Sequence, residues 1–266
     1  MFSSIVVPLD LGETGDRALP IVRSLAQAGG LPIELLTITS PRMVGLQDAF
    51  ELDRRVKVHG IGPHSIHVLY DDDAGRAITS HVAEREDALV VMASTAKGVF
   101  AERMLGSVSE HVLAHAHRPV LVVGPHVDVS GWAGAPTLVV GVDDSVSAEA
   151  AVPVIATWER TFGGAVHLVE VAPRPVAVGG GWGDEAATAI DQIARRLADH
   201  GVDVSGQMVP GGGAPATRLE EFASDLGNAV FVATSSNWTS AKPHWHSTTR
   251  TLARRSRRPV LVVPAG

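Results

Sequence analysis

Residues 118–123 read RPVLVV, and residues 258–263 read RPVLVV again. The run Val120–Val123 has the length and apolarity of a buried strand. Its verbatim return, 140 residues on, raises the question of how far the two copies extend. Moving back along the chain, ALVVMA at 88–93 matches NAVFVA at 228–233 with the same 140-residue spacing. Further back, IELLTI at 33–38 matches VHLVEV at 166–171, and IVVPLD at 5–10 matches LVVGVD at 138–143, both 133 residues apart. Four segments in one order amount to a duplication. The change of spacing places seven extra residues in the second copy between Val171 and Met208, with Gly179-Gly180-Gly181-Trp182-Gly183 as the candidate stretch.

The domains then run 1–125 and 137–266, joined by 126–136, where Gly131, Gly134 and Pro136 interrupt regular structure. Each copy alternates strands with helices. In the first, strands are expected at Ile5–Leu9, Ile33–Ile38, Ile66–Tyr70, Leu89–Ala93 and Val120–Val123. Helices are expected at Arg17–Ala28, Gln47–Val58, Ala77–Glu86 and Ser107–Ala116. Glu185–His200 and Thr217–Leu226 are the clearest helices of the second. Such alternation specifies an α/β fold, a parallel sheet covered on both faces. Ligands of such sheets sit beyond the carboxyl ends of the strands, so functional residues are sought there.

Composition narrows the function. The chain of 266 residues is 45% hydrophobic and 19% charged, enough apolar material for two cores. It has no cysteine, which excludes disulfides, thiol nucleophiles and zinc–thiolate sites. A net charge of −7 argues against a nucleic-acid or anionic-membrane partner. Five Trp, one Tyr and six Phe leave few platforms for stacked bases. The N-terminus MFSSIVVPLD lacks the pattern of a signal peptide, and no apolar run reaches membrane-spanning length, so a cytoplasmic protein is expected.

Asp10 ends the first strand and Asp143 holds the matching place in the second copy. A carboxylate there accepts a hydrogen bond either from an adenine amino or ribose hydroxyl group, or from the N-terminus of the next helix. After the fourth strand, Met92-Ala93, come Ser94-Thr95-Ala96-Lys97-Gly98 and then Leu105-Gly106-Ser107-Val108-Ser109-Glu110, which opens a helix. Free amides at that opening favour an anion. Ser107 with Glu110 three residues on equally fits a capping box.

Asp10, the loop after Met92, Gly106-Ser107-Val108 and the terminal RPVLVV together resemble the universal stress protein family, and the duplication resembles its tandem-domain members. The resemblance covers nearly all of both copies. It implies two Rossmann-like domains related to adenine-nucleotide alpha hydrolases, each with five parallel strands and helices on both faces. It also implies a stress-response role, ATP binding without efficient hydrolysis, and an edge contact through the last strand, between domains or between subunits of a homodimer. The family's ATP motif is glycine, two residues, glycine, nine residues, glycine, then Ser or Thr. Anchored on Gly106-Ser107, its positions fall on Ala93, Ala96, Gly106 and Ser107, so two of three glycines are alanine. The implied first site comprises Asp10, Ile38, Met92, Ala93, Ala96, Gly106, Ser107 and Val108, with ATP and its Mg²⁺ as the ligand. An added methyl weakens it only if a motif position needs a left-handed backbone or touches phosphate. The second copy is more degenerate. Its corresponding residues are Asp143, Val171, Ala233, Ser236, His246 and Ser247, and His246 replaces the last glycine.

Other signals read as structure. Gly211-Gly212-Gly213-Ala214-Pro215-Ala216 mimics a dinucleotide fingerprint after the wrong strand, and Pro215 suits a helix start. His111 and His115 sit at i,i+4 without a completing carboxylate, so no metal site is expected. Asp71-Asp72-Asp73 reads as an acidic turn, and the arginines from Arg250 to Arg258 as a solvated helix end. The His244-Trp245-His246 cluster has no assigned role. There is no GxxxxGK[ST] loop, no GxSxG elbow and no acid–base constellation. The expected protein is a regulatory or protective binding module, not an enzyme. The alternative is a scaffold that has lost ATP and works by pairing Val120–Val123 with Val260–Val263.

Overall fold

The computed structural model describes residues 1–10, 12, 14–40, 46–94, 105–142, 149–172, 187–234 and 247–264. In the first half the elements are β1 (Ser4–Pro8), α1 (Leu19–Gly29), β2 (Ile33–Thr39), α2 (Leu46–Val58), β3 (His64–Tyr70), α3 (Ala74–Ala83), β4 (Ala88–Ala93), α4 (Ser107–His115) and β5 (Val120–Val123). In the second they are β6 (Thr137–Val142), α5 (Val152–Phe162), β7 (Val166–Val171), α6 (Ala187–Asp199), β8 (Val204–Val209), α7 (Pro215–Ala223), β9 (Ala229–Thr234), α8 (Thr248–Arg255) and β10 (Val260–Val263). Every expected element is present, with ends moved by no more than about three residues, as is usual for helix fraying. The strands run parallel within each half, in the order β3-β2-β1-β4-β5 and its repeat β8-β7-β6-β9-β10. Order reverses between β1 and β4, which opens a crevice there.

The two halves form one ten-stranded sheet, because β5 and β10 pair antiparallel. Leu261 lies opposite Leu121, Val260 opposite Val122 and Val262 opposite Val120. Repeat-equivalent residues thus face each other about a local two-fold axis, and the duplicated RPVLVV is the seam of the molecule. Both strands spend their outer edges on one another, leaving β3 and β8 as the ends of the sheet.

Strand alternation distributes the core over two faces. Ile5 and Val7 turn to the face covered by α1, α2, α5 and α6, whereas Val6 turns to the face covered by α3, α4, α7 and α8. On the first face Trp158 is fully buried, edge-on to Phe162 at a centroid distance of 4.7 Å and to Phe2 at 6.4 Å. The N–H of Phe2 donates to Thr161 Oγ1 at 3.1 Å, tying the N-terminus to the second half. The connection 126–136 is also docked. Val127 and Trp132 are buried in this core, Arg17 donates to the Val127 carbonyl at 3.0 Å, and Gly131 and Gly134 supply the left-handed turns at φ 70° and 80°.

Helices α2 and α6 each have 13 residues and occupy the same place in the repeat. The extra length of the second half therefore precedes α6. The Gly179–Gly183 stretch itself lies outside the described residues.

Candidate functional site

At the crevice between β1 and β4 the structure holds a cavity of about 490 Å³, within the size range of small-molecule sites. Asp10, Ile38, Met92, Ala93, Gly106, Ser107 and Val108 all line it. Of the eight residues expected in the first site, Ala96 alone is missing from this set, and it lies outside the described residues. The floor is apolar, from Ile38, Ile78, Met92 and Leu105. Its polar groups come from Asp10 after β1 and from the start of α4.

Among the described residues no helix has Asp10 as its cap. Its Oδ1 accepts the N–H of Gly12 at 3.2 Å, and the short 3-10 turn Gly15–Ala18 that follows begins without any side-chain cap. The turn closes tightly round the carboxylate: a Cβ on Gly15 would stand 3.1 Å from Oδ1. Arg55 of α2 holds this turn in place. Its guanidinium donates to the Asp10 carbonyl at 3.2 Å and the Gly12 carbonyl at 2.8 Å, and it pairs with the Asp16 carboxylate. Arg55 is nearly buried, so the pair is well fixed and little screened.

The capping reading of Ser107 also needs correction. Gly106 is the N-cap of α4, at φ −59° and ψ 147°, and no side chain caps the helix. Ser107 is the first helical residue, and both it and Val108 are exposed on the cavity wall. Helix geometry leaves the N–H groups of residues 107–109 without an intrahelical acceptor. The first such bond runs from Glu110 N–H to the Gly106 carbonyl at 2.9 Å. The start of α4 therefore presents donors that the helix itself does not use, with the positive end of a helix dipole behind them, beside a hydroxyl. Glu110, the carboxylate in this first turn, is engaged by Arg250 of α8 at 3.4 Å.

Ala93 ends β4 in register with Val123. Among the described residues only His117 is a non-glycine with positive φ. The first alanine of the degenerate motif therefore sits in ordinary extended backbone, and its methyl carries no conformational strain.

In the second half Val171 ends β7, Ala233 lies near the end of β9, and Ser247 is the N-cap of α8. Asp143, Ser236 and His246 lie outside the described residues, as does the His244-Trp245-His246 cluster.

Of the residues set aside as structural, the acidic turn and Pro215 behave so, whereas the arginines are no solvated helix end: Arg250 is largely buried and pairs with Glu110, and Arg258 donates to the Ala223 and Ser224 carbonyls at 3.0 and 3.2 Å. Asp73 caps α3 by accepting the Arg76 N–H at 3.0 Å, and Asp71 accepts from the Asp73 N–H and the Arg76 guanidinium. Those bonds hold the Asp71 carboxyl below the usual carboxylate range. Pro215 opens α7. His111 and His115 stack at 4.4 Å, with His115 Nδ1 at 2.9 Å from the His111 carbonyl. Sequence reading missed Ala74 and Ile78 of α3 as cavity residues, since no motif links that helix to the strand ends. It also missed a half-buried polar group formed by Glu34, His67 and His81.

Among the described residues no helix is long and apolar enough to cross a membrane. The family model for the universal stress protein family matches residues 1–124 and again residues 135–264. No curated protein matches the chain significantly. The crystal structure of a universal stress protein from Archaeoglobus fulgidus DSM 4304 is 20% identical, with a TM-score of 0.70, over 99% of this chain and 98% of that one. A Pseudomonas aeruginosa UCBPP-PA14 protein that bears the same family name provisionally is 14% identical, with a TM-score of 0.65, over 99% of this chain and 93% of that one. At these identities the likeness is one of fold, across the whole chain.

Proposed function

The chain belongs to the universal stress protein family, and from that premise we propose that its first domain binds ATP or another adenine nucleotide, as a regulatory or protective module that does not turn the nucleotide over. The observation that carries this reading is the cavity, whose lining joins apolar side chains with the Asp10 carboxylate and the first residues of α4. An adenine nucleotide offers a partner to each, a flat base and ribose together with a polyanion. In this reading Ile38 and Met92 border the base. Asp10 accepts from the ribose or the adenine amino group, and the amides of residues 107–109 with the Ser107 hydroxyl hold phosphate. Mg²⁺ accompanies the phosphates. No acid–base pair enters the proposed arrangement, which is why binding rather than catalysis is inferred.

Calorimetric titration of the full chain with ATP and Mg²⁺ tests it. Saturable heat is expected, with affinity falling about tenfold or more in Ser107→Ala, the loss of one hydrogen bond to a charged group. Phosphate release is expected to stay at the rate without protein. Absence of heat at millimolar ATP contradicts the reading and leaves the pairing scaffold built on β5 and β10.

A further inference from the structure

On the face of the sheet covered by α3, three side chains from three elements converge away from the nucleotide cavity. Glu34 lies near the start of β2, His67 in the middle of β3, and His81 near the end of α3. Glu34 is four residues upstream of Ile38, so the group sits on the order of 13 Å down the strand from the cavity. One ligand atom from each of the three lies within 4.8 Å of the other two.

Two distances are informative. Nε2 of His81 is 3.6 Å from Glu34 Oε2, and Nε2 of His67 is 3.7 Å from the same oxygen. Both exceed a hydrogen bond; the contact of His67 Nε2 with Ser65 Oγ, at 3.2 Å, is one that a bound ion would displace. Both distances are close to the spacing of about 3.3 Å that separates neighbouring ligand atoms round a tetrahedral Zn²⁺ with bonds of about 2.0–2.1 Å. The His81 side chain is 8% exposed, and its Nε2 is buried with no hydrogen-bond partner. The His81 Nε2 therefore faces a carboxylate oxygen that it does not bond. A cation between the three atoms resolves this.

We propose that Glu34, His67 and His81 form a site for Zn²⁺ or a similar borderline divalent cation, with solvent as the fourth ligand. His67, 36% exposed in its side chain, is the open side through which ion and water enter. Arg85 acts as a positioning residue. Its Nε donates to Glu34 Oε2 at 2.7 Å while its other end is fixed to the His81 carbonyl at 2.7 Å, the kind of outer contact that orients a ligating carboxylate. Its positive charge opposes the ion, so the affinity expected is micromolar rather than that of a permanent zinc site. The repeat does not conserve the set. His167, Gln207 and Glu221 stand at the three matching positions of the second half, and His167 Nδ1 instead meets Ser205 Oγ at 2.5 Å. The site is thus a property of the first domain. It clips α3, which supplies Ala74 and Ile78 to the cavity, onto the sheet beneath it.

Titration of the chelator-treated full chain with Co²⁺, followed by visible d–d absorption, tests the site, together with thermal unfolding with and without Zn²⁺. The expected result is one equivalent with the intense bands of four-coordinate Co²⁺ and a melting temperature raised by Zn²⁺. Both should be lost in His67→Ala, which melts like the wild type without metal, and affinity should fall at least tenfold in Glu34→Gln. His111→Ala should change nothing. No band and no shift at a hundredfold excess of metal overturns the proposal. So does binding that survives His67→Ala, or binding that disappears with His111→Ala.

Discussion

Ala93 carries the question of whether a motif that has lost glycines still works. A glycine matters where φ must be positive or where backbone must touch the ligand. Ala93 is regular strand, paired with Val123, so only the volume of one methyl is at issue. Ala93→Gly is therefore expected to change ATP affinity by less than about tenfold, under 1.4 kcal/mol, in the same calorimetric titration. A larger gain would mean that the methyl blocks the ligand. Asp71 makes a second residue-level prediction. Its carboxyl is held below the ordinary value of 3.8, first by the Asp73 N–H and then by Arg76. A depressed acid contributes stability above its unfolded pKa and loses it as pH falls through the folded one. The melting temperature of Asp71→Asn should thus lie below that of the wild type near neutral pH, and the gap should close on acidification. A gap that widens in acid would contradict the assignment.

At the scale of elements, apolar periodicity placed the strands and helices of the first half, because burial on a covered parallel sheet imposes it, and the repeat carried their order to the second. The helix starts were harder to read, since they depend on turns. The helix expected from Ala77 begins at Ala74 because Asp73 caps it, and the box read at Ser107–Glu110 is not formed because Gly106 is the cap. The cavity was legible where it used strand ends and a helix start, and illegible where α3 crosses over it. The Glu34, His67 and His81 group was invisible for the same reason: three elements bring it together with no local spacing. The contact of α1 with α5 is likewise tertiary. Gly29 lets the helices approach, since a Cβ there would lie 2.9 Å from the Phe162 ring, and Trp158 is buried edge-on to that ring. Trp158→Ala should cost about 3–5 kcal/mol, the usual price of truncating a buried aromatic, measured by denaturant unfolding. A loss below about 1 kcal/mol would mean that this cluster does not hold the halves together.

For the whole molecule, the repeat revealed two domains, and the resemblance pointed to the last strand as the place where they meet. RPVLVV was readable as a strand in each copy, and its resemblance implied an edge contact through that strand; only the antiparallel register of Leu121 on Leu261 needed the structure. Duplication also lets equivalent positions diverge. Glu110 and Arg250 are the same position of the repeat, and they face each other as an ion pair across the seam. The pair neutralises a carboxylate at the start of α4, where the proposed phosphate site lies, so the second domain supports the first. The most direct test of this account follows the backbone amides of the isotopically labelled full chain by NMR as ATP and Mg²⁺ are added. The prediction is a set of saturable shifts concentrated at residues 10–12, 92–93 and 106–109, with the second domain largely still. Shifts absent at millimolar ATP, or confined to residues far from this cavity, would contradict it.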